Sequence, residues 1–366
     1  MSFFFWFCAA VMGTYMLAKS IYSVALLLST KEEPAQPLKG ISILVAARDE
    51  EEHLQITLDS LSHMQMNDLQ WEVWIGDDQS TDKTAEIAKN YCETHPHFHY
   101  LRIEKNLEGL KAKQNVLAQL AKQTSFSNIL ICDADMQVHP LWARTLAGEL
   151  EKGFGMVCGT TIVAGTTFFS RMQTLDWLMG MSIAKSHSVM GIPITGVGNN
   201  MAVTKEAYEG VGGYEKLPFS ITEDYKLFQA IHEKAGWKYR QLFHESSLSF
   251  TVAAKDISQW LGQRRRWFRG GAEIAWYNKT LLLFNAIVMP ILVCALFLLP
   301  LKSFLVFWSM KLIADFCFLL IASMKLNNLG WMKWFPLFEM YYQVVALVLP
   351  FNQILFSTVN WKGRKY

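Results

Sequence analysis

Two short acidic motifs carry the side chains in this sequence that are best suited to holding a metal ion and a phosphate. Asp77-Asp78 follows the apolar run Trp71–Gly76, and Asp133-Ala134-Asp135 follows a second apolar run, Asn128–Cys132. Carboxylate oxygens suit a divalent Mg or Mn ion, and an ion with few protein ligands normally also holds phosphate oxygens. The two motifs therefore predict a site for a divalent metal and a phosphate-bearing ligand.

The chain around these motifs alternates between short apolar runs and amphipathic stretches, which predicts a parallel, doubly wound α/β sheet. In such a sheet ligands bind beyond the carboxyl ends of the strands, so both motifs would face one crevice. The alternative is that Asp77, Asp78 and Ser80 only satisfy the N-terminus of the next helix. The predicted strands are Ile41–Ala47, Trp71–Gly76, Phe98–Ile103 and Asn128–Cys132, and the predicted helices are about 50–64, 82–91 and 113–122.

Two further motifs are ambiguous when each is taken alone. Thr222-Glu223-Asp224 precedes an amphipathic helix and carries acids suited to proton transfer, but Ser220 and Glu223 are also spaced as a capping box. The arginines of Gln263–Trp267 (QRRRW) would either meet lipid phosphates beside a membrane or neutralise a diphosphate leaving group. Both interpretations of each motif stay open at this point.

Charged residues are distributed unevenly along the 366 residues, which argues against a freely soluble protein and against a bundle of membrane helices alone. Elsewhere the charge density is ordinary for a globular protein, which indicates one water-soluble domain of about 250 residues between membrane segments. The net charge of +2 neither favours nor excludes acidic partners, and we expect no nucleic acid. The apolar stretches are 3–28, 280–300, 304–324 and 335–359, and their charged residues are Lys19, Lys311, Asp315 and Glu339.

The apolar stretches divide the chain into four predicted parts. Residues 1–30 form an uncleaved transmembrane anchor, because no small-residue cleavage site follows the apolar run, and 31–40 form a linker with two prolines. Residues 41–279 form a cytosolic domain with interfacial helices, and the helix Phe168–Met190 is either part of the core or one that lies on the membrane surface. Residues 280–366 form two or three membrane helices and a basic tail.

Basic residues at 264–269 and in the tail favour the cytoplasmic side of a bacterial inner or plasma membrane. Three full crossings after the domain would place the C-terminus outside, so one of the last three apolar stretches is expected to lie in or dip into the interface. The stretch 335–359 contains Glu339 and Pro350 and is a candidate for a broken or re-entrant helix. Lys311 and Asp315, four residues apart, either neutralise each other or mark a functional site within the bilayer.

Six motifs are more specific in their order along the chain than individually. They are Ala47–Glu51 (ARDEE), Asp77–Asp82 (DDQSTD), Asp133–Asp135 (DAD), Gly198–Tyr214 (GNNMAVTKEAYEGVGGY), Thr222–Asp224 (TED) and Gln263–Trp267 (QRRRW). With this series the sequence resembles the family-2 inverting glycosyltransferases, whose membrane-bound, processive-type members share it. The run Lys113–Asn115 and the terminal WKGRKY resemble ceramide- and carotenoid-glycosylating relatives. The resemblance covers 41–267 and implies an A-type glycosyltransferase fold, which is Rossmann-like with a mainly parallel sheet.

The resemblance also implies roles for single residues. It makes Asp224 the catalytic base beside Glu223, and Asp135 the ligand of a Mg or Mn ion. One departure is Asp49, where many relatives have asparagine. The resemblance further implies that the nucleotide-sugar site contains Ala47, Glu50, Asp78, Lys113, Asp133, Gln263, Arg266 and Trp267, that Asn115 lies near the donor phosphates, and that Gly198, Asn199 and Asn200 form the loop for the sugar or acceptor.

The expected reaction is transfer of a sugar from a UDP-sugar to a hydroxyl of a lipid-like acceptor, with inversion and with help from the metal. A base that takes the proton of the attacking hydroxyl and a single displacement give inversion. One alternative is a processive synthase of the hyaluronan, cellulose or poly-N-acetylglucosamine type, whose polar product needs a ring of several helices. The remote alternative is a non-catalytic membrane scaffold that only binds nucleotide. The expected product is a glycolipid or another component of the cell envelope.

Overall fold

The computed structural model describes residues 2–29, 38–66, 68–271, 274–355, 360–361 and 364–365, and these residues form two units. The first, called here the helical unit, consists of 1–30, 165–194 and 253–359. The second, called here the sheet unit, consists of 31–164, 195–252 and 360–366. Most of the predicted linker 31–40 and much of the basic tail lie outside the described residues.

Strands and helices alternate through the sheet unit, whereas long helices form the other unit. The strands are β1 (Ile41–Ala47), β2 (Trp71–Asp77), β3 (Phe98–Arg102), β4 (Asn128–Asp133), β5 (Met136–Val138), β6 (Met156–Cys158), β7 (Thr160–Ala164), β8 (Asn200–Thr204), β9 (Tyr239–Gln241), β10 (Leu248–Val252), β11 (Asn360–Trp361) and β12 (Arg364–Lys365). The α-helices are α1 (Ser2–Leu28), α2 (Leu54–Ser62), α3 (Thr84–Thr94), α4 (Ala112–Ala121), α5 (Trp142–Glu151), α6 (Phe168–Val189), α7 (Lys205–Gly210), α8 (Glu223–Phe228), α9 (Ile257–Gly271), α10 (Trp276–Leu298), α11 (Leu301–Lys325) and α12 (Phe335–Leu355).

The main sheet has the order β3-β2-β1-β4-β8-β6-β9, with β1 beside both strands that end in acids. The first four strands are parallel, as the alternation predicts, but β8 runs antiparallel to β4 and to β6. A second sheet, β5-β10-β7, pairs segments more than 80 residues apart, which no local pattern reveals. The sheet is thus mainly parallel, with an antiparallel strand inserted next to β4.

The core of the sheet unit lies on both faces of β1, because strands of a parallel sheet are covered by helices on both sides. Ile41, Ile43, Leu44 and Val45 are all fully or almost fully buried, and fully burying a side chain of this size stabilises the fold by about 1.5–3 kcal/mol. This rigid centre fixes the carboxyl ends of the neighbouring strands. The predicted helices are present with shifted ends, and the first begins at Leu54 rather than near 50 because the residues before it form turns.

The helical unit holds the apolar stretches that the composition indicated. Three of its helices are long and apolar enough to cross a membrane by length and composition: Phe3–Leu28, Trp276–Leu298 and Leu301–Lys325. The helix α12, a candidate for a broken segment, runs without interruption from Phe335 to Leu355 despite Pro350, and 356–359 lie outside the described residues. The protein is a membrane protein.

The helix α6 packs within the helical unit and does not lie openly on a surface. It contacts α1, α11 and α12, and more than half of its residues are buried, including the charged or polar residues Lys185 and His187. Burial lowers the pKa of His187 to about 4, so the imidazole is neutral at ordinary pH. Most of this helix therefore belongs to the core of the helical unit, as one of the two interpretations predicted.

Four charged residues from three helices form one neutral network inside the helical unit. The Lys311 ammonium lies 2.8 Å from an Asp315 carboxylate oxygen and 2.5 Å from one of Glu339, and Lys19 lies 3.2 Å from Asp315. The Tyr15 hydroxyl donates to Asp315 at 2.6 Å. The predicted pair of Lys311 and Asp315 is therefore real, but two further charges, one on α1 and one on α12, complete it. Two positive and two negative charges balance, which lets all four stay buried.

Neutralising one member of this network should destabilise the protein, while neutralising a pair should not. Lys311→Met leaves two carboxylates with a single ammonium, and breaking a buried ion pair costs about 3–5 kcal/mol. Lys311→Met/Glu339→Gln restores the charge balance and should recover most of the thermal stability, measured as the unfolding temperature in lipid nanodiscs. Lys302→Met, at an exposed position of the same helix, is the control. A double variant as unstable as the single one would contradict the charge-balance explanation.

Candidate active site

The structure brings the two acidic strand ends together at one edge of the main sheet. In the parallel pairing Ala47 lies opposite Asp77, and Ala46 lies opposite Asp133, so the end of β1 is flanked by an acid on each side. The residues that follow, Asp78 and Asp135, leave the sheet at this edge. The carboxyl ends of parallel strands are where open α/β sheets bind ligands.

Asp77 has a structural role in the turn after β2, seven residues before α3 begins, whereas at the start of α3 the Thr84 N–H donates to Asp82 at 2.9 Å. Its carboxylate is fully buried and accepts hydrogen bonds from the Ser80 N–H at 2.9 Å, the Tyr100 hydroxyl at 2.9 Å and Arg102 at 3.3 Å. Asp78 is also buried, and the Arg48 guanidinium donates to its backbone carbonyl at 2.6 Å. Of the two adjacent acids, Asp78 is the one that remains a candidate for ligand contact.

The ARDEE turn after β1 is bonded to the turn after β2. Asp49 has a left-handed backbone with φ of +49°, which aspartate tolerates better than most residues. Its carboxylate accepts from the Thr81 N–H at 2.8 Å, while its own N–H donates to the Ser80 hydroxyl at 3.0 Å. The Glu50 N–H donates to the Thr84 hydroxyl at 2.7 Å. Aspartate at this position therefore holds two turns together, and the side-chain oxygen of an asparagine could accept the same hydrogen bond from Thr81.

Lys113, at the start of α4, connects three separate segments of the chain. Its ammonium lies 2.5 Å from the Asp133 carboxylate and 3.1 Å from that of Glu223, and it donates to the Gly198 carbonyl at 3.2 Å. Burial by itself lowers the pKa of Lys113, but the carboxylates of Asp133 and Glu223 outweigh it and raise the pKa above its usual value. Lys113 is therefore a permanent positive charge at the acidic edge of the sheet.

Gln114, which the motif analysis overlooked, positions the segment before Thr222-Glu223-Asp224. Its side-chain oxygen accepts from the Ser220 N–H at 3.1 Å, and its amide lies 3.4 Å from the carbonyls of Tyr214, Leu217 and Pro218. The next residue, Asn115, accepts from the Leu107 N–H at 2.8 Å. Three consecutive side chains thus hold three different loops. In the sequence, the only sign of this shared role is that the three polar residues of the run KQN (Lys113–Asn115) lie within one turn of a helix.

Ser220 and Glu223 do not form the capping box that their spacing allows. The helix begins after Thr222 without a side-chain cap, and the Ser220 hydroxyl instead accepts from the Thr222 N–H at 3.1 Å. The carboxylate of Glu223 is bonded to Lys113. The helix continues directly into a π-helical turn, Gln229–Lys234, a rare feature that often occurs near functional sites.

Asp224 is held in a fixed orientation by two backbone N–H groups. Gly198 donates to one carboxylate oxygen at 2.9 Å and Tyr225 donates to the other at 2.8 Å. Burial and the nearby negative charge of Glu223 raise the pKa of Asp224 to about 6, against the opposing effects of Lys113 and the two N–H groups. A carboxylate with such a pKa accepts a proton readily near neutral pH.

The loop before β8 joins Asp224 to Lys113 through a single residue. Gly198 bonds Asp224 through its N–H and Lys113 through its carbonyl. Asn199 accepts from the Thr161 hydroxyl at 2.9 Å. Asn200 is completely buried and contacts only protein groups that the structure describes, accepting from the Trp142 indole at 2.8 Å and donating to backbone and hydroxyl oxygens. Its position indicates that it supports the loop rather than touching a ligand.

Asp133 and Asp135 offer a donor set that fits a divalent ion. Asp135 accepts from the Thr251 hydroxyl at 3.2 Å, and Asp133 is paired with Lys113. Among the described residues there is no group of three or more His, Cys, Asp or Glu side chains that could hold a metal. One or two carboxylates together with phosphate oxygens are what Mg and Mn use in nucleotide sites. The Asp133 and Asp135 carboxylates therefore fit a divalent ion whose remaining ligands include phosphate oxygens of a bound nucleotide.

The remaining predicted residues lie in the helical unit. Gln263, Arg266 and Trp267 are all on α9, and the Trp267 ring meets the Trp177 ring edge to face with centroids 5.1 Å apart. Because these residues belong to a different unit from Asp224, their predicted contacts with the nucleotide sugar stay a prediction.

The sequence matches the model of glycosyl transferase family 21 over residues 3–366, nearly the whole chain. The chain belongs to this family. The motif series thus identified a glycosyltransferase correctly, and family 21 is the family that matches.

Curated relatives include synthases of a glycolipid and of a polysaccharide. The chain is 28% identical over 244 residues to beta-monoglucosyldiacylglycerol synthase from Nostoc sp., an alignment that covers 64% of this chain and 50% of the relative. It is 27% identical over 283 residues to poly-beta-1,6-N-acetyl-D-glucosamine synthase from Staphylococcus epidermidis, covering 74% of this chain and 65% of the relative. The chain spans about half to two thirds of the length of these relatives.

A solved structure confirms the A-type glycosyltransferase fold. The mannosyltransferase PcManGT from Pyrobaculum calidifontis, determined with GDP-mannose and Mn2+, superposes with a TM-score of 0.60 at 14% sequence identity. The match covers 96% of this chain and 99% of that one. At this level of identity the likeness shows the fold alone.

Gly198→Ala should lower the rate of sugar transfer by misplacing Asp224. A Cβ atom at Gly198 would lie 2.6 Å from the Asp224 Cβ and 2.9 Å from a carboxylate oxygen, so the acid must move. Displacements of about 1 Å at a catalytic group cost roughly 10²-fold in rate. Gly210→Ala, where a Cβ atom meets nothing within 4 Å, is the matched control. Transfer rates of both purified variants, compared with their unfolding temperatures, test the assignment, and an unchanged rate in Gly198→Ala would refute it.

Proposed function

We propose that the protein transfers a sugar from a UDP-sugar to a hydroxyl of a membrane lipid, with inversion at the anomeric carbon and with Asp224 as the base. The observation that carries this proposal is the half-buried Asp224 carboxylate, fixed by two N–H groups and close to the Lys113 charge at the carboxyl edge of the sheet. Membership of glycosyl transferase family 21 supplies the reaction class.

Asp224 has the properties that a base for an acceptor hydroxyl needs. A hydroxyl is a weak nucleophile, and a carboxylate with a pKa of about 6 can remove its proton as it attacks. The N–H groups of Gly198 and Tyr225 hold both carboxylate oxygens, so the base is oriented before substrate arrives. Attack opposite the departing diphosphate breaks the bond between the anomeric carbon and the diphosphate oxygen and inverts the configuration.

Lys113 is placed to stabilise the departing diphosphate. Negative charge grows on that group as the sugar–oxygen bond breaks, and a fixed cation nearby stabilises the transition state. The ammonium is held by Asp133 and Glu223, so it needs no rearrangement of the chain to reach the acidic edge of the sheet. Glu223 thereby serves the catalytic motif by positioning the cation, and Asn115 fixes the adjoining loop.

A divalent ion, Mg or Mn, would be held by Asp135 with Asp133. When bound, such an ion neutralises charge on the diphosphate of the nucleotide sugar. The Mn2+ in the mannosyltransferase of the same fold is consistent with this assignment. The ion that the two carboxylates would hold and the Lys113 ammonium would then both neutralise charge on the same leaving group.

The other predicted residues keep the roles that the sequence predicts for them, each within its own unit. Those predicted to contact the nucleotide lie at or just after the ends of β1 and β2, and those predicted to contact the diphosphate and the acceptor lie on α9. We assign Ala47, Glu50 and Asp78 to uridine, Gly198 and Asn199 to the sugar or acceptor with Asn200 behind them, and Gln263, Arg266 and Trp267 to the diphosphate and the acceptor entrance.

The packing of the helical unit favours a lipid acceptor over a growing polymer. A polysaccharide channel needs a polar, open interior between several helices. Between α1, α11 and α12 the described side chains of Lys19, Lys311, Asp315 and Glu339 are almost completely buried and bonded to each other, so that this space is filled. The relatives include both kinds of synthase, and a polymer-forming synthase is the second candidate function.

The orientation that we propose places the sheet unit in the cytoplasm of a bacterial inner or plasma membrane. One crossing near the N-terminus and a two-helix hairpin, α10 and α11, leave the basic segments at 264–269 and 362–365 on the same side. Basic residues near membrane helices favour the cytoplasm. A UDP-sugar donor is available on that side, and the lipid acceptor approaches within the bilayer.

Asp224→Asn should abolish transfer while leaving nucleotide binding intact. Loss of a positioned base lowers the rate by about 10²–10⁴-fold. Membranes with native or variant protein are incubated with radiolabelled UDP-sugars, and label is counted in the organic extract and in the polymer fraction. Asp68→Asn, an exposed position before β2, is the control. Label in the polymer fraction would favour the second candidate, and equal UDP release by Asp224→Asn and native protein would favour a non-catalytic scaffold.

The pH dependence of transfer should report the charges around Asp224. The base must be deprotonated, so kcat/KM is expected to fall as the pH drops below about 6. Glu223→Gln removes a negative charge and should move this acidic limb to lower pH, whereas Lys113→Met removes a positive charge and should move it to higher pH. Residual rates of both variants are measured between pH 4.5 and 8, a range chosen around that pKa. Shifts in the same direction would contradict the assignment of Asp224.

A further inference from the structure

Two neighbouring strands of the main sheet hold the backbone of the loop before β8. β6 and β9 pair in parallel at one end of this sheet. On β6 the Cys158 Sγ atom accepts from the Val197 N–H at 3.2 Å, and on β9 the Tyr239 hydroxyl donates to the Thr195 carbonyl at 2.9 Å. We call Cys158 and Tyr239 the strand clamp. Both bonds hold residues that come shortly before Gly198 in the chain.

The strand clamp is itself held in place. Cys158 is completely buried, which raises the pKa of its thiol to about 12, so the group stays neutral at ordinary pH. Gln241 is also completely buried, and its amide donates to the Gly159 carbonyl at 2.6 Å. This bond places the side-chain oxygen of Gln241 2.9 Å from the Tyr239 hydroxyl, as a second acceptor for its proton. The positions of both clamp side chains are therefore set by the packing of the sheet unit.

Tyr239 also contacts the helix that carries the proposed base. Its ring meets the Phe228 ring edge to face with centroids 4.9 Å apart, and Phe228 is the last residue of α8. At Gly196 a Cβ atom would lie 3.1 Å from the Asp224 carbonyl oxygen and 3.2 Å from the Phe228 Cβ atom, so loop and helix pack directly on each other. Tyr239 therefore holds the loop through its hydroxyl and the helix through its ring. These are the two segments that the hydrogen bond between Gly198 and Asp224 joins.

We propose that Cys158 and Tyr239 are positioning residues of the reaction, which fix the loop so that the Gly198 N–H stays bonded to the Asp224 carboxylate. An N–H that donates to a carboxylate favours its ionised form and fixes its orientation. If the loop shifts away, this bond weakens, and the carboxylate binds a proton more tightly and is less firmly oriented. The inference rests on the proposed function, because that function makes Asp224 the base.

Tyr239→Phe and Cys158→Ala test the strand clamp in the full-length protein, because each removes one bond to the loop and Tyr239→Phe keeps the ring. With the radiolabelled UDP-sugars of the transfer assay, kcat should fall about tenfold, part of the roughly 10²-fold loss that a displacement of about 1 Å causes, while KM for the donor stays within about twofold. The acidic limb of kcat/KM should move to higher pH by about 0.5–1 unit, because a weaker hydrogen bond raises the pKa of Asp224. Glu223 and Lys113, the charged groups that act on Asp224, are the same in all these proteins. An acidic limb at the native pH in both variants would overturn the proposal.

Two further variants separate positioning from a loss of stability. Tyr100→Phe removes a phenol hydrogen bond of the same length, to Asp77 in the same sheet, and should leave the acidic limb unchanged. Cys158→Ser supplies a hydroxyl that accepts from the Val197 N–H and should restore part of the rate that Cys158→Ala loses. An equal shift of the limb in Tyr100→Phe and Tyr239→Phe would assign the effect to a general loosening of the sheet and contradict the proposal.

A double variant tests whether the strand clamp acts through Asp224. In Asp224→Asn protein the base is absent, so the addition of Tyr239→Phe should leave the residual rate unchanged within about twofold. A further loss as large as that in the single Tyr239→Phe variant would show that the clamp acts elsewhere and refute its positioning role.

Amide hydrogen exchange of the loop, measured by mass spectrometry without substrate, separates this inference from the proposed function. Peptides that contain residues 195–200 should exchange about three- to tenfold faster in Tyr239→Phe than in the native protein, the effect of one lost hydrogen bond. Unchanged exchange and unchanged kcat in Tyr239→Phe, with Asp224→Asn inactive, would refute the clamp and leave the proposed function standing. Full transfer by Asp224→Asn would refute the proposed function and with it the positioning role, even if the loop exchanges faster.

Discussion

The ammonium group of Lys113 holds together parts of the chain that are far apart in sequence. It contacts the end of β4, the loop before β8 and the start of α8 at distances of 2.5 to 3.2 Å. Without this cation, the carboxylates of Asp133 and Glu223 would face each other and Asp224 at an edge of the sheet that is partly closed to water. The rigid core around β1 fixes the strand ends. The Lys113 ammonium offsets the repulsion between the Asp133 and Glu223 carboxylates and holds both in place.

The geometry of Asp224 follows from this arrangement through Gly198. The Gly198 carbonyl accepts a hydrogen bond from Lys113, and the N–H of the same residue donates to Asp224, the proposed base. A change in the position of the cation is therefore passed to the base over a single residue. In the proposed reaction, this loop would therefore connect the residue assigned to the leaving diphosphate with the residue assigned to the attacking hydroxyl.

The sequence was sufficient to predict the first four strands, the acidic strand ends and the glycosyltransferase motifs, because each is encoded by local pattern. It was not sufficient for the contacts that join them. Gln114 has no distinctive neighbours along the chain, and its role depends on a loop about 100 residues away. The short β5, β7 and β10 are likewise defined by pairing between distant segments, and the burial of α6 depends on helices from both ends of the chain. Packing between such distant segments produces no periodic pattern of apolar residues in the sequence from which it could be predicted.

The bonds between α1 and α11 also constrain how the protein is made. Tyr15 bonds to a residue 300 positions later, and Lys19 pairs with the same aspartate. At a synthesis rate of about 5–20 residues per second, the first helix waits roughly 15–60 seconds before its partner emerges from the ribosome. During this interval the Lys19 side chain must extend toward the lipid headgroups to keep its charge in water. The buried pairing of Lys19 and Tyr15 with Asp315 can thus form only after most of the polypeptide has been translated.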